Sequence, residues 1–142
     1  MALADLNPRS TLKFLLNADA SAAAGKLLTI NVSDTATNGV ATLELATAKT
    51  DVPVGIVVVG AASDSGSYPG YATSCEIYDT LIGCFDGALA GGTVAAGDAV
   101  EVDSTGRFIV ATPSAGDFVI GFAMTGAAVG EQFTIKFAVT KF

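Results

Sequence analysis

The side chains best equipped for chemistry in this chain are carboxylates, and they cluster in two places. Asp98, Glu101 and Asp103 lie close together, and Asp79 and Asp86 form a second pair. Two facing carboxylates are what glycoside hydrolysis needs, one to donate a proton and one to attack or activate water. Asp98, Glu101, Asp103 and Gly106 also supply oxygen ligands of the kind calcium takes. Neither pattern is complete. Alternation along a strand would place Asp98 opposite Glu101 and Asp103, and the spacing lacks a full EF-hand loop. The chain has no histidine, so Ser-His-Asp and Cys-His nucleophiles are excluded. Cys75 and Cys84, the two cysteines, fit no zinc spacing. Both fall in strand-like sequence and read as buried free thiols. The run Gly87-Ala88-Leu89-Ala90-Gly91-Gly92 lacks the lysine and helix of a phosphate loop and reads as a flexible connection. Asn31-Val32-Ser33 matches a glycosylation acceptor, but inside a predicted strand. No catalytic residue, cofactor site or metal site is expected, and the chain is not expected to be an enzyme.

Charge narrows the partners further. The formal net charge is −7, and between Asp51 and Glu131 there are ten acids against one base, Arg107. A nucleic-acid groove needs clustered Lys and Arg, so no nucleic-acid partner is expected. The composition is 51% hydrophobic and 15% charged, with a mean hydropathy of +0.56. Its longest clean apolar run, Val52 to Ala62, is well short of the roughly 20 residues that span a bilayer as a helix. No membrane partner is expected. The start of the chain lacks a basic segment followed by an apolar block, so a protein made in the cytoplasm is expected. The surplus apolar surface suits burial against partner subunits.

The elements that carry these residues read as strands. Small, β-branched and glycine-rich usage favours strands and tight turns. Lys26 to Val32 puts Leu28, Ile30 and Val32 on one face, Val40 to Leu45 alternates, and Phe133, Ile135, Phe137 and Val139 form one apolar face. Asn38-Gly39 is a hairpin turn signal. Asn17 to Gly25 reads as a helical turn or a loop, and Ser74 to Phe85 as one longer strand or bent pair broken near Gly83. One device occurs twice. Asp51-Val-Pro-Val-Gly55-Ile-Val-Val-Val-Gly60-Ala61-Ala62 aligns without a gap with Asp117-Phe-Val-Ile-Gly121-Phe-Ala-Met-Thr-Gly126-Ala127-Ala128. Two copies are too few for a solenoid. The fold expected is all-β: a single compact β-barrel or sandwich of about nine short strands in two related halves. Residues 1–10 read as an extended arm and residues 11–142 as the barrel or sandwich domain. The turn-rich stretch Ser63 to Thr73 carries Tyr68 and Tyr71, an exposed loop suited to contact.

The carboxyl-terminal half carries a resemblance. It contains Gly92-Thr-Val-Ala-Ala-Gly97-Asp98-Ala-Val100, Asp103-Ser-Thr-Gly106, Gly116-Asp117-Phe-Val-Ile-Gly121-Phe-Ala123 and Ala127-Ala-Val-Gly130-Glu-Gln-Phe-Thr-Ile135. This combined string, over residues 90–139, resembles the capsid decoration or cement proteins of tailed phages, which are β-barrels. The resemblance implies a structural virion protein on the outer surface of an icosahedral phage capsid, made in the host cytoplasm. It would bind between capsomers of the major capsid protein and stabilise the shell. The implied partners are the major capsid protein and the chain itself, with a homotrimer favoured and a dimer possible. The arm residues Leu3, Leu6, Pro8 and Arg9 are the expected capsid contacts, since an extended segment can add a strand to a partner's sheet. The alternative is a β-barrel binding module on a virion or cell surface that recognises a carbohydrate or receptor through Tyr68 and Tyr71.

Overall fold

The computed structural model describes residues 12–33, 42–63, 71–79 and 83–142. The expected arm over residues 1–10 and the Asn38-Gly39 turn lie outside these residues. Within them the chain is all-β, as expected. Its strands are β1 (Leu12–Leu16), β2 (Leu27–Ile30), β3 (Leu43–Leu45), β4 (Pro53–Val59), β5 (Ala72–Asp79), β6 (Cys84–Leu89), β7 (Ala99–Val102), β8 (Phe108–Val110), β9 (Phe118–Ala123) and β10 (Gln132–Lys141).

These ten strands among the described residues compare with about nine predicted from pattern alone. The difference has a local cause. The stretch from Ser74 to Phe85 is two strands, β5 and β6, and Gly83 lies between them with φ +94°. The run from Gly87 to Gly92 is also no flexible connection. Ala88 and Ala90 are fully buried, and β6 pairs with β10 through Phe133↔Ala88 and Gln132↔Leu89. Small residues here reflect close packing, not slack.

The two halves share one connectivity. β1 to β5 close a barrel in the order β1-β3-β2-β4-β5, and β6 to β10 form a sheet in the order β6-β10-β9-β7-β8. Replacing each strand of the first half by the strand five later gives the second order when the closed ring is read from β6 in the opposite direction. The seam is repeated as well. In the first half Leu16 pairs in parallel with Leu43 and Asn17 N–H donates to the Leu43 carbonyl at 3.0 Å. In the second, Ala90 bridges Phe108 in parallel and Gly91 N–H donates to the Phe108 carbonyl at 2.7 Å. The repeated device falls on equivalent strands, β4 and β9. Gly55 pairs with Leu28 of β2, and Gly121 pairs with Val100 of β7.

Two apolar clusters fill the structure. Leu16, Leu28, Val57, Ala72, Cys75 and Ile77 lie inside the first barrel. The larger cluster is built mainly from the second half, where Phe108 and Phe133 meet edge to face with centroids 6.0 Å apart. It also takes in Leu27, Ala46 and Ile56 of the first half, with Tyr78 packed against it. Strands β2 and β4 are therefore buried on both faces: Leu28 and Val57 point into the barrel, while Leu27 and Ile56 point at the other half. This explains the near-continuous apolar sequence of β4, since a strand covered on both sides has no polar face to show.

Other expectations are corrected at strand ends. Ile30 is half exposed and Val32 is exposed, although alternation grouped them with buried Leu28. The strand stops at Ile30, and the Asn31 side chain then accepts from Ser33 N–H at 3.0 Å while donating to Thr42 Oγ1 at 2.8 Å. Val139 is exposed too, because the register of β10 on β9 shifts between Phe137 and Thr140 and ends the alternation. Asn17 to Gly25 forms turns, with no helix.

Candidate functional site

The carboxylates, the first candidates for chemistry, do not converge. Each one whose side chain is described is held by the chain itself. Three of them share a single device. Asp98, Asp117 and Glu131 each occupy the fourth position of a turn whose third residue is glycine with positive φ: Gly97 (95°), Gly116 (95°) and Gly130 (82°). This is the type II pattern, in which an L side chain at the third position would be strained. In each turn the acid's N–H closes the turn onto the first residue's carbonyl, at 3.0–3.1 Å. Its carboxylate accepts the first residue's own N–H: Ala95 at 2.8 Å, Ser114 at 2.8 Å and Ala128 at 3.0 Å. Asp51 accepts from Thr47 and Ala48 in the same manner.

The remaining described acids are equally engaged. Asp103 accepts from the Thr105 N–H and hydroxyl at 2.7 and 2.8 Å, and from the Arg107 N–H and Nε at 3.0 and 3.2 Å. Burial works against its charge, but the Thr105 and Arg107 bonds and the guanidinium outweigh that effect, so its carboxyl stays below the usual carboxylate range. The Ser21 hydroxyl and N–H, with Ser63 N–H, hold the Asp19 carboxyl low as well. Glu44 accepts from Asn17 and Asp86 from Thr134. Most of these acids thus serve as turn and loop fasteners.

Glu101 differs from the others because it is fully buried. Its Oε1 forms an ion pair with Lys49, which lies just ahead of β4. The same oxygen accepts from Thr112 Oγ1 at 3.3 Å, and Lys49 Nζ donates to Thr112 at 3.4 Å. Oε2 has no partner. Lys49 also offers its carbonyl to Phe118 N–H at 2.7 Å. The group ties the first half to β7 and β9 of the second. Removing Lys49 would leave the buried Glu101 carboxylate without its counter-charge, so the pair helps fix how the halves sit together.

The predicted contact residues divide between described and undescribed segments. Tyr71 immediately precedes β5 and is half-buried. Tyr68, Leu3, Leu6, Pro8 and Arg9 lie outside the described residues. Cys75 is buried as expected, but Cys84 is exposed. It sits at the start of β6, opposite Lys136 of β10, on the outward side of the sheet. A crevice of about 200 Å³ opens beside the first seam, lined by Leu16, Asn17, Ala18, Asp19, Glu44 and Leu45. It falls below the range typical of small-molecule sites, and the polar groups described above satisfy one another.

The structure adds an apolar surface on the second half that the sequence reading does not contain. Phe122 and Met124 lie on the outward side of β9 and just beyond its end, and are 47% and 52% exposed. Phe122 is flanked by Ala99 of β7 and Lys136 of β10, and Cys84 lies one strand further on. The repeat holds the relevant signal, since Phe122 aligns with Ile56, but alignment gives no indication of which copy is covered.

No protein-family model matches the chain, and no curated protein matches it. Among solved structures, the chain is similar to the N base of the head fiber gp8.5 of bacteriophage phi29, with a TM-score of 0.65 at 19% identity. The likeness covers 93% of this chain and 98% of that one. At this identity the similarity is one of fold: the two-halved β architecture described above is an architecture also found in the base of a phage head fiber.

Proposed function

We propose that this chain is a structural protein of a phage virion. In this reading it attaches to the outside of the icosahedral head, between capsomers of the major capsid protein, and stabilises the shell. The observation that carries the reading is the likeness of fold to the head fiber base, which runs over nearly the whole of both chains. The engagement of the carboxylates supports it, because turns fastened by their own acids make a rigid body. The partners are the major capsid protein and further copies of the chain, with a trimer favoured over a dimer, and neither nucleic acid nor membrane is involved. Residues 1–10, with Leu3, Leu6, Pro8 and Arg9, supply the contact with the shell, and several weak contacts per oligomer combine into firm attachment.

Quantitative mass spectrometry of purified particles tests the proposal. The expected result is a copy number that scales with the junctions between capsomers, lost from particles assembled with a chain lacking residues 1–10. A handful of copies confined to a tail or vertex would overturn it.

A further inference from the structure

Glu101 stands apart from the other described acids in both position and partner. Leu28 pairs with Gly55 and Val100 with Gly121, so the residues that follow, Thr29 and Glu101, are counterparts in the two halves. Both are buried, but the first half keeps the site neutral and the second places a carboxylate there. That carboxylate is in direct contact with the Lys49 amine through Oε1, while Oε2 has no partner. Taking an ion pair out of water carries a desolvation cost, which mutual attraction offsets only when the remaining oxygens are hydrogen-bonded. An amide made from the same two side chains carries no charge, and a bare amide oxygen costs far less to bury than a bare carboxylate oxygen. Burial therefore opposes the two groups as ions and favours them as an amide.

We propose that Lys49 and Glu101 condense into an isopeptide bond, which joins the two halves covalently. Proton transfer within the pair gives the amine and the acid, with the acid's hydrogen on Oε1. The Nζ lone pair attacks Cδ and forms the new C–N bond. A proton then passes from the nitrogen to Oε1 through the Thr112 hydroxyl, which accepts from Lys49 Nζ at 3.4 Å and donates to Glu101 Oε1 at 3.3 Å. The Cδ–Oε1 bond breaks and Oε1 leaves as water, so that Oε2 becomes the amide oxygen. Amine and acid give amide and water, with no oxidant or external activating group. Holding the reactants in contact at one geometry is worth an effective concentration on the order of 10⁵–10⁸ M, which stands in for an activated leaving group. The Lys49 side chain is 36% exposed, and this gives the released water a way out. The bond ties the segment ahead of β4 to β7, the connection that the ion pair already makes. It does not depend on the capsid reading.

Mass spectrometry of the folded, purified chain after tryptic digestion tests it. Trypsin cuts after Lys26, Lys49 and Arg107 in this region, and an acylated lysine is not cut. The native chain is expected to give one fragment from Leu27 to Arg107, uncut after Lys49 and lighter than its sequence by one water. Lys49→Arg removes the nucleophile, because guanidinium stays protonated, and should give two fragments at full mass. Glu101→Gln should reach the same crosslinked product as the native chain by losing ammonia in place of water. Thr112→Val should slow the mass change after refolding by about a hundredfold, as loss of a proton relay does. A native chain at full mass and cut after Lys49 would overturn the proposal whether or not any variant folds. Loss of water from a fragment in which Lys49 is still cut would overturn it too, since the bond would then lie elsewhere.

Discussion

The two halves place a large apolar side chain at the same point of the same strand, Ile56 in one and Phe122 in the other, and give it opposite surroundings. Ile56 is sealed between the halves and Phe122 faces solvent. Their strand neighbours diverge to match. Ile56 lies beside Leu27 and the aromatic residue Tyr78, whereas Phe122 lies beside Ala99 and the basic residue Lys136. A duplicated barrel therefore supplies two copies of one face. One holds the chain together, and the other is open to solvent. Pseudo-symmetry thus fixes where a contact surface lies but leaves its use to what covers it.

Substituting the paired positions tests the contrast most severely. Ile56→Ala should cost about 2–5 kcal/mol of stability, the range for emptying a well-packed apolar site. Phe122→Ala should cost clearly less in the dilute protomer, because about half of its surface is exposed. Urea unfolding at low protein concentration reads both; equal losses would show that the two faces are buried alike. The glycines at the centre of each repeat sharpen the contrast at smaller scale. A Cβ on Gly121 would collide with the Lys136 carbonyl oxygen, whereas one on Gly55 would stand 3.0 Å from that of Tyr78. Neither glycine has positive φ, so both are there for space and not for a turn. Gly121→Ala should therefore destabilise by roughly 2–3 kcal/mol as overpacking against a backbone does, and Gly55→Ala by clearly less, in the same unfolding measurement.

The smallest expected effect concerns a turn fastener on the second half. Asp103→Asn should cost about 1 kcal/mol at neutral pH, the worth of charge-assisted bonds at a partly exposed site. Because the folded carboxyl is held below its unfolded value of 3.8, this stabilisation is fully present above that value and is lost as pH falls through the lower folded one. The stability curves of the native chain and the Asp103→Asn variant should thus converge in acid and separate above the unfolded value. Curves that stay parallel across the acid range would remove the charge from the account.

Much of the fold was legible in the chain because it is written locally. The alternation of Phe133, Ile135 and Phe137 gave the inward face of β10, and the gapless match of Asp51–Ala62 with Asp117–Ala128 gave two related halves. The acids were visible as well, but their role was not. Asp98, Glu101 and Asp103 read as possible ligands, whereas Asp98 and Asp103 close turns and Glu101 pairs with Lys49, distant in sequence and brought close only by the packing of the halves. Where alternation failed, at Ile30, Val32 and Val139, a strand had ended or its register had shifted, and period alone cannot report either event. The exposure of Cys84 departs from expectation for a related reason: a strand-like sequence states that a residue has two sides, not which one faces water.

The sequence by itself determined the strands, the type II turns with their glycines and acids, and the duplication. Each of these depends on torsions and hydrogen bonds among residues a few positions apart. Only the tertiary structure decided that the first copy's outer face is buried and the second's is open. That choice depends on which surfaces meet across the whole chain, and neither the repeat around Gly55 nor the one around Gly121 contains that information.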